Sequence, residues 1–261
     1  MHVDQKLTAL IITYNEASNI RYAIACLNFA DEIIIVDSYS TDETVQIALT
    51  MPKVSVYQHH FEDFTKQRNL ALSYATNDWI IFLDADERLT PLSVQEICRT
   101  INNPAAKDAY YMYRLFYFCG EKIRFSGTQN DKNFRLFRRS KAMYDGKKKV
   151  HETLVVNGSI GILKHKIHHY SFADYASYRN KMIHYGMLKG QERHLKNEVY
   201  FAFIHFAKVL FRFFKAYIID LGILDGKRGF QLCYLQSLSV HETFLSLKRE
   251  ERKHRLALKI H

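Results

Sequence analysis

Apolar residues along the first hundred positions fall into short runs separated by polar punctuation. Residues 7–12 (LTALII), 33–36 (IIIV) and 79–83 (WIIFL) read as strands, whereas Val54-Ser-Val-Tyr57 alternates. Near-unbroken runs fit strands buried on both faces, and alternation fits one that is half buried. The punctuation predicts helices between them. Thr13 and Glu16 are spaced as a capping box, which predicts a helix to about Leu27, and Ser40 with Glu43 predicts another to about Leu49. Phe64 to Tyr74 reads as a third helix, and Thr90-Pro91 supplies an N-cap and a first-turn proline for a fourth.

Strand and helix in alternation with short connections predict an α/β fold, a mostly parallel sheet flanked by helices. In such sheets ligands bind at the carboxyl ends of the strands. Tyr14-Asn15-Glu16, Asp37-Ser38 and Asp84-Ala85-Asp86 all fall at those ends, so three polar clusters distant in sequence are expected on one edge. The run Ile80-Ile-Phe-Leu-Asp-Ala-Asp-Glu87 drives a buried strand into three acids, an arrangement that calls for positive charge. Two carboxylates in Asp-x-Asp can hold Mg²⁺ or Mn²⁺, which in turn grips a diphosphate. Alone, the tripeptide more often marks a solvated acidic turn; its place at a strand end beside two other polar clusters favours a metal.

Beyond about residue 108 the alternation stops. Two aromatic and basic strands (AYYMYRLFYF and NFRLFRR), Val150-His151-Glu152 and the histidines at 165–169 are expected to complete a pocket. Arg135, Arg138 and Arg139 are candidates to face phosphates or to be a plain solvated cluster. A helix is predicted from Asp174 to His194. Residues 199–224 are apolar enough to tempt a membrane-spanning reading, but His205, Lys208, Arg212 and Lys215 form one helical stripe. A charged stripe opposite a wide apolar face fits an interfacial helix better. A second apolar helix is predicted at about 230–247, followed by a charged tail, KREERKHR. The N-terminal residues lack the features of a signal peptide and read as leading into the first strand. The four cysteines form no CxxC pair and fit reduced thiols of a cytosolic protein.

The net charge of +10 points to an anionic partner. Nucleic acid is the weaker choice, because no zinc spacing, helix-turn-helix or RNP motif is present and the expected pocket is acidic. A nucleotidyltransferase is disfavoured because the turn after the first strand, TYNEASN, has no glycine to wrap phosphate.

Thr13-Tyr14-Asn15-Glu16, Asp37-Ser38, Lys66-Gln-Arg-Asn69 and Asp84-Ala-Asp86, in this order, resemble family 2 glycosyltransferases with the GT-A fold. Val150-His-Glu152, a later histidine and residues 224–230 resemble the narrower group that adds glucose to the heptose of the bacterial lipopolysaccharide or lipooligosaccharide inner core. The resemblance implies a GT-A catalytic domain at 1–172, with a nucleotide-sugar half to about 105 and an acceptor half from about 106, and a helical, membrane-associating extension at 173–261. It implies an inverting, metal-dependent transfer of a hexose from a UDP-sugar to a phosphorylated, lipid-linked acceptor. Another UDP-hexose or another cell-surface glycan acceptor is the alternative. Thr13, Tyr14, Asn15, Glu16 and Asp37 would bind uridine and ribose; Lys66, Arg68 and Asn69 would lie near the diphosphate. Asp86 would ligate Mg²⁺ or Mn²⁺ directly, Asp84 would reach the ribose, or the metal directly or through water, and His168 is a weaker third candidate. Glu152 would be the general base and Asp131 its competitor, although relatives carry two acids where this chain has His-Glu. The expected location is cytoplasmic, peripherally bound to anionic lipids at the inner face of the cytoplasmic membrane, with no nucleic-acid partner.

Overall fold

The computed structural model describes residues 5–145, 154–172, 174–196, 198 and 201–257. It divides into two units, one formed by residues 1–115 and 130–169, the other by 116–129 and 170–261.

The first unit opens with β1 (Leu7–Thr13), α1 (Ile20–Ala25), β2 (Glu32–Asp37), α2 (Thr44–Leu49) and β3 (Val54–Gln58). Then come α3 (Phe64–Tyr74), β4 (Trp79–Phe82), the short β5 (Glu87–Arg88), α4 (Pro91–Ile101) and β6 (Ala109–Phe118). The hairpin partner of the end of β6 is β7 (Glu121–Ile123), in the second unit. The first unit resumes with β8 (Lys132–Arg138), β9 (Ala142–Tyr144), β10 (Leu154–Val156), β11 (Ile160–Ile162) and β12 (Ile167–Phe172), whose last residues belong to the second unit.

Strands run in the order β3-β2-β1-β4-β8-β6. The first four are parallel and β8 enters antiparallel between β4 and β6. Both faces of the parallel part are covered, which is why its strands are apolar without alternation: Ala9 and Ile11 pack with Ile24, Leu27 and Trp79 on one side, Leu10 with Ile34, Phe82 and Phe137 on the other.

Helix starts separate the local signals that act locally from those that do not. The side chains of Asp63, Thr90 and Asp174 each accept a backbone N–H three residues on and open α3, α4 and α5. The two expected capping boxes do not form. α1 begins only at Ile20 and α2 at Thr44, neither with a side-chain cap. The polar groups instead tie two loops together: the backbone N–H groups of Asn15, Glu16 and Ala17 donate to Ser40 Oγ, Thr44 Oγ1 and Asp42 Oδ2, at 2.8, 2.8 and 3.1 Å.

The second unit is helical: α5 (Tyr175–Leu195), α6 (Ala202–Phe214) and α7 (Gly226–Ala257), with a π-helical turn at Lys215–Ile219 and a 3-10 turn at Gly222–Asp225 between α6 and α7. Gly186 and Gly190 let α5 approach α7 closely; a Cβ on either would meet a carbonyl of α7, Ser239 or Thr243, at 2.6 Å. The charged stretch expected as a tail continues α7 for 32 residues in all, supported by Lys248–Glu251 and Lys253–Glu250 pairs at 2.8 Å. No helix among the described residues is long and apolar enough to cross a membrane. The cysteines are free, with Cys98 and Cys233 buried.

Candidate active site

The acids that end β4 meet protein cations, and this divides their roles. Asp84 is held from two sides, by Arg68 of α3 at 2.9 Å and Arg135 of β8 at 2.5 Å. Burial alone would push its carboxyl up, but the guanidinium groups of Arg135 and Arg68 override that and hold it well below the usual carboxylate range. Glu87 is fully buried, bonded to Arg135 at 2.5 Å, with Arg114 of β6 at 3.6 Å and its second oxygen accepting the Asp84 backbone N–H at 3.1 Å. Arg114 also grips Asp131 with two hydrogen bonds of 2.9 Å. Three acids and three arginines thus form one network at the strand ends, with Arg135 only 2% exposed.

Asp86 stands apart from that network. Its Oδ2 lies 3.2 Å from Nε2 of His169 on β12. The pairing of β12 with β5 places His169 opposite Glu87 and His168 opposite Arg88. Neighbouring side chains on a strand leave by opposite faces, so His169, not the expected His168, reaches Asp86. Glu16 is close enough to feel Asp86 and Arg88; burial pushes its carboxyl up, and Asn19 Nδ2 donates to it at 2.8 Å.

Several expected site residues are occupied structurally. Asp84, expected as a metal ligand, is committed to two arginines. Both oxygens of Asp131, the competing base, are taken by Arg114. Asn69 exchanges hydrogen bonds with the Tyr144 backbone at 3.0 and 3.1 Å, which ties α3 to β9, and Lys66 is exposed and paired with Glu62. Arg138 lies over the Trp79 ring and near Asp78, while Arg139 donates to the Ala75 carbonyl. Asp37 is fully buried and accepts from Ser40 N, Ser40 Oγ and Gln58 Nε2, so it shapes the 38–41 loop. Asn15 takes a positive φ of 54° and its Oδ1 accepts the Thr41 N–H at 2.7 Å. Tyr14 is exposed and Thr13 buried. His151 and Glu152 lie outside the described residues.

A cleft of about 260 Å³ opens beside the arginine network, lined by Arg68, Tyr111, Lys132, Asn133, Phe134, Arg135, Tyr144 and Leu154. Tyr111 stacks on Phe134 at 3.7 Å, with Lys132 Nζ 5.0 Å from the Tyr111 ring. Tyr144 and Leu154, both lining this cleft, are direct partners in the β9–β10 pairing.

Residues 8–170 match the profile of glycosyl transferase family 2. The chain belongs to that family. Among its relatives, an uncharacterized glycosyltransferase of Rickettsia felis is 28% identical over 87% of this chain and 83% of its own length. The lipopolysaccharide core biosynthesis glycosyltransferase LpsC of Rhizobium meliloti is 32% identical over 59% of each chain. Among solved structures, S. aureus TarS 1–349 in complex with UDP-GlcNAc superposes with a TM-score of 0.50 at 16% identity, covering 69% of this chain and 66% of that one. The fold of this glycosyltransferase is GT-A, with a helical C-terminal extension.

The donor set of this family 2 enzyme suits a divalent ion completed by its substrate. Among the described residues no three metal-binding side chains cluster. Asp86 and His169 supply two donors 3.2 Å apart. Hard cations that work on nucleotides take one or two carboxylates and fill the remaining positions with phosphate oxygens and water. The two residues therefore fit a cation that arrives with a diphosphate. Sequence reasoning brought the 165–169 histidines to the pocket without choosing His169 over His168, and it missed the arginine network because its partners lie far along the chain. The available signals were the acids after Leu83, which call for positive charge, and an arginine inside each of two aromatic strands, which calls for an acid.

Proposed function

We propose that the enzyme transfers a hexose, glucose first among the candidates, from a UDP-sugar to the heptose of a lipopolysaccharide or lipooligosaccharide inner core, with inversion and with Mg²⁺ or Mn²⁺. The observation that carries this reading is the separation of the two aspartates: arginines neutralise Asp84, while Asp86 faces His169. Asp86 and His169 would hold the cation, whose contribution is to neutralise charge on the departing diphosphate. Arg68 and Arg135 fix the Asp84–Glu87 turn so that Asp86 is held in place without rearrangement, the preorganisation that makes electrostatic catalysis effective. The loops after β1 and β2, braced by Asn15, Asp37 and Ser40, would frame the uridine. Glu152 would take the proton of the acceptor hydroxyl as that oxygen attacks the anomeric carbon. The acceptor assignment is supported by similarity to LpsC, and the donor assignment by the fold shared with TarS, which was solved with UDP-GlcNAc. With a lipid-linked acceptor, the enzyme would work bound to the inner face of the cytoplasmic membrane.

The test is UDP release from a panel of UDP-sugars with Mn²⁺ and a heptose-terminated acceptor. UDP-glucose should give the fastest release, and Glu152→Gln should keep donor binding while losing about 10²–10⁴-fold in turnover. Release from no UDP-sugar would remove the donor reading. Normal turnover by Glu152→Gln would remove Glu152 as the base.

A further inference from the structure

Helix α6 docks with its polar side inward. His205, 1% exposed, meets His241 of α7 through Nε2 and Nδ1 at 3.0 Å and stacks on Phe244 at 4.2 Å. Arg212 donates to Gln236 of α7 at 2.9 Å, and Lys215 pairs with Asp220 at 2.8 Å. These are three of the four residues of the polar stripe; the fourth, Lys208, is exposed. The opposite side is open: Phe203 is 84% exposed, Leu210 69%, Phe206 62% and Phe211 60%. The apolar surface continues through Ile219 and Leu224 in the turns before α7. A helix that only covered its own protein would be oriented the other way, as α4 is, with Ile97 and Ile101 buried.

Charge selects the occupant of this face. The second unit holds 18 Lys and Arg against 9 Asp and Glu, a net of +9, whereas the first holds 19 against 18. A second copy of the chain would bring the same +9 to the contact. An anionic bilayer complements it, and Lys208 and Lys227 are exposed on the same stretch of chain.

We propose that the outward face of α6 and the turns after it form the membrane-binding surface, lying in the headgroup region of an anionic leaflet with Phe203, Phe206, Leu210 and Phe211 as the inserted side chains. This deepens the peripheral-membrane reading and rests on it. His205 and Arg212, which would face water on a free interfacial helix, are spent here on α7, so the helix is held to the protein by one side and to lipid by the other.

The test is flotation of the full chain, without substrate, on vesicles of phosphatidylglycerol and phosphatidylethanolamine, and on vesicles of phosphatidylcholine alone. The protein should float with the first and at least about tenfold less with the second. Phe206→Gln/Leu210→Gln/Phe211→Gln should lower partitioning on the order of a hundredfold while leaving the melting temperature and UDP release from the donor in place. Equal flotation of this variant and the unaltered protein would overturn the proposal, as would equal binding to both vesicle types. A dimer in light scattering that the triple variant dissolves, with flotation unchanged, would assign the face to a second copy instead. A protein that floats as expected but releases no UDP would overturn the donor reading and support this one.

Discussion

The two units of this glycosyltransferase handle charge and apolar surface in opposite ways. The first is almost neutral, turns its apolar residues inward and buries its ion pairs: Arg135 and Glu87 are sealed together beneath the strand ends. The second holds nearly all of the excess positive charge, buries His205 of the α6 stripe against α7 and leaves phenylalanines outside. In the first, charge is a fixed component of a site that must not move. In the second, it would act as a field directed at an anionic surface. Electrostatic preorganisation requires dry, immobile partners, whereas surface attraction requires exposed ones.

The comparison is sharpest in a pair of stability measurements. Arg135→Met removes a shared partner of Asp84 and Glu87 and should cost about 3–5 kcal/mol, because a buried acid is left short of its counter-charge. Adding Glu87→Gln should recover part of that loss, and denaturant unfolding of the two variants reads the coupling. Phe206→Gln/Leu210→Gln/Phe211→Gln, by contrast, should change stability by no more than about 0.5 kcal/mol per site, since exposed side chains contribute little to the fold. A large loss in the second case and none in the first would reverse the assignment of the two units.

A smaller effect lies at the α6–α7 contact. Burial, and then the neighbouring His241, hold His205 below its ordinary value. A histidine depressed in the folded state binds fewer protons there than when unfolded, so its contribution to stability is complete above the unfolded value near 6.5 and declines as pH falls through that value toward the folded one. The melting temperature should therefore fall between pH 7.5 and pH 5.5, and His205→Phe should flatten that part of the profile. An unchanged slope in the variant would place the pH dependence elsewhere.

Much of the first unit was legible from local pattern. The apolar runs at 7–12, 33–36 and 79–83 became β1, β2 and β4 because strands buried on both faces need nothing else. Thr90 acted as the N-cap because its partner, Ser93, is three residues away. The capping boxes at 13–16 and 40–43 misled because Ser40 Oγ and Thr44 Oγ1 take the backbone N–H groups of Asn15 and Glu16 across loops some 25 residues apart. The acids after Leu83 raised the right question about missing positive charge. Only for Asp86 does a metal remain the proposed answer; Arg68, Arg114 and Arg135 answer it for Asp84 and Glu87, from 16 to 51 residues away. His168 and His169 differ by one position, and only strand register decides which of them meets Asp86. For α6, the sequence showed two faces but not which one docks, because an interfacial helix and a packed amphipathic helix share one periodicity.

The central claim is that Asp86, and not Asp84, is the acid through which a divalent ion holds the donor diphosphate. Calorimetric titration of UDP with Mn²⁺, and again with EDTA, into the unaltered enzyme and into Asp86→Ala tests it most directly. Binding by the unaltered enzyme should require Mn²⁺, and Asp86→Ala should bind weakly and equally with or without it. Undiminished, Mn²⁺-dependent binding by Asp86→Ala would contradict the account.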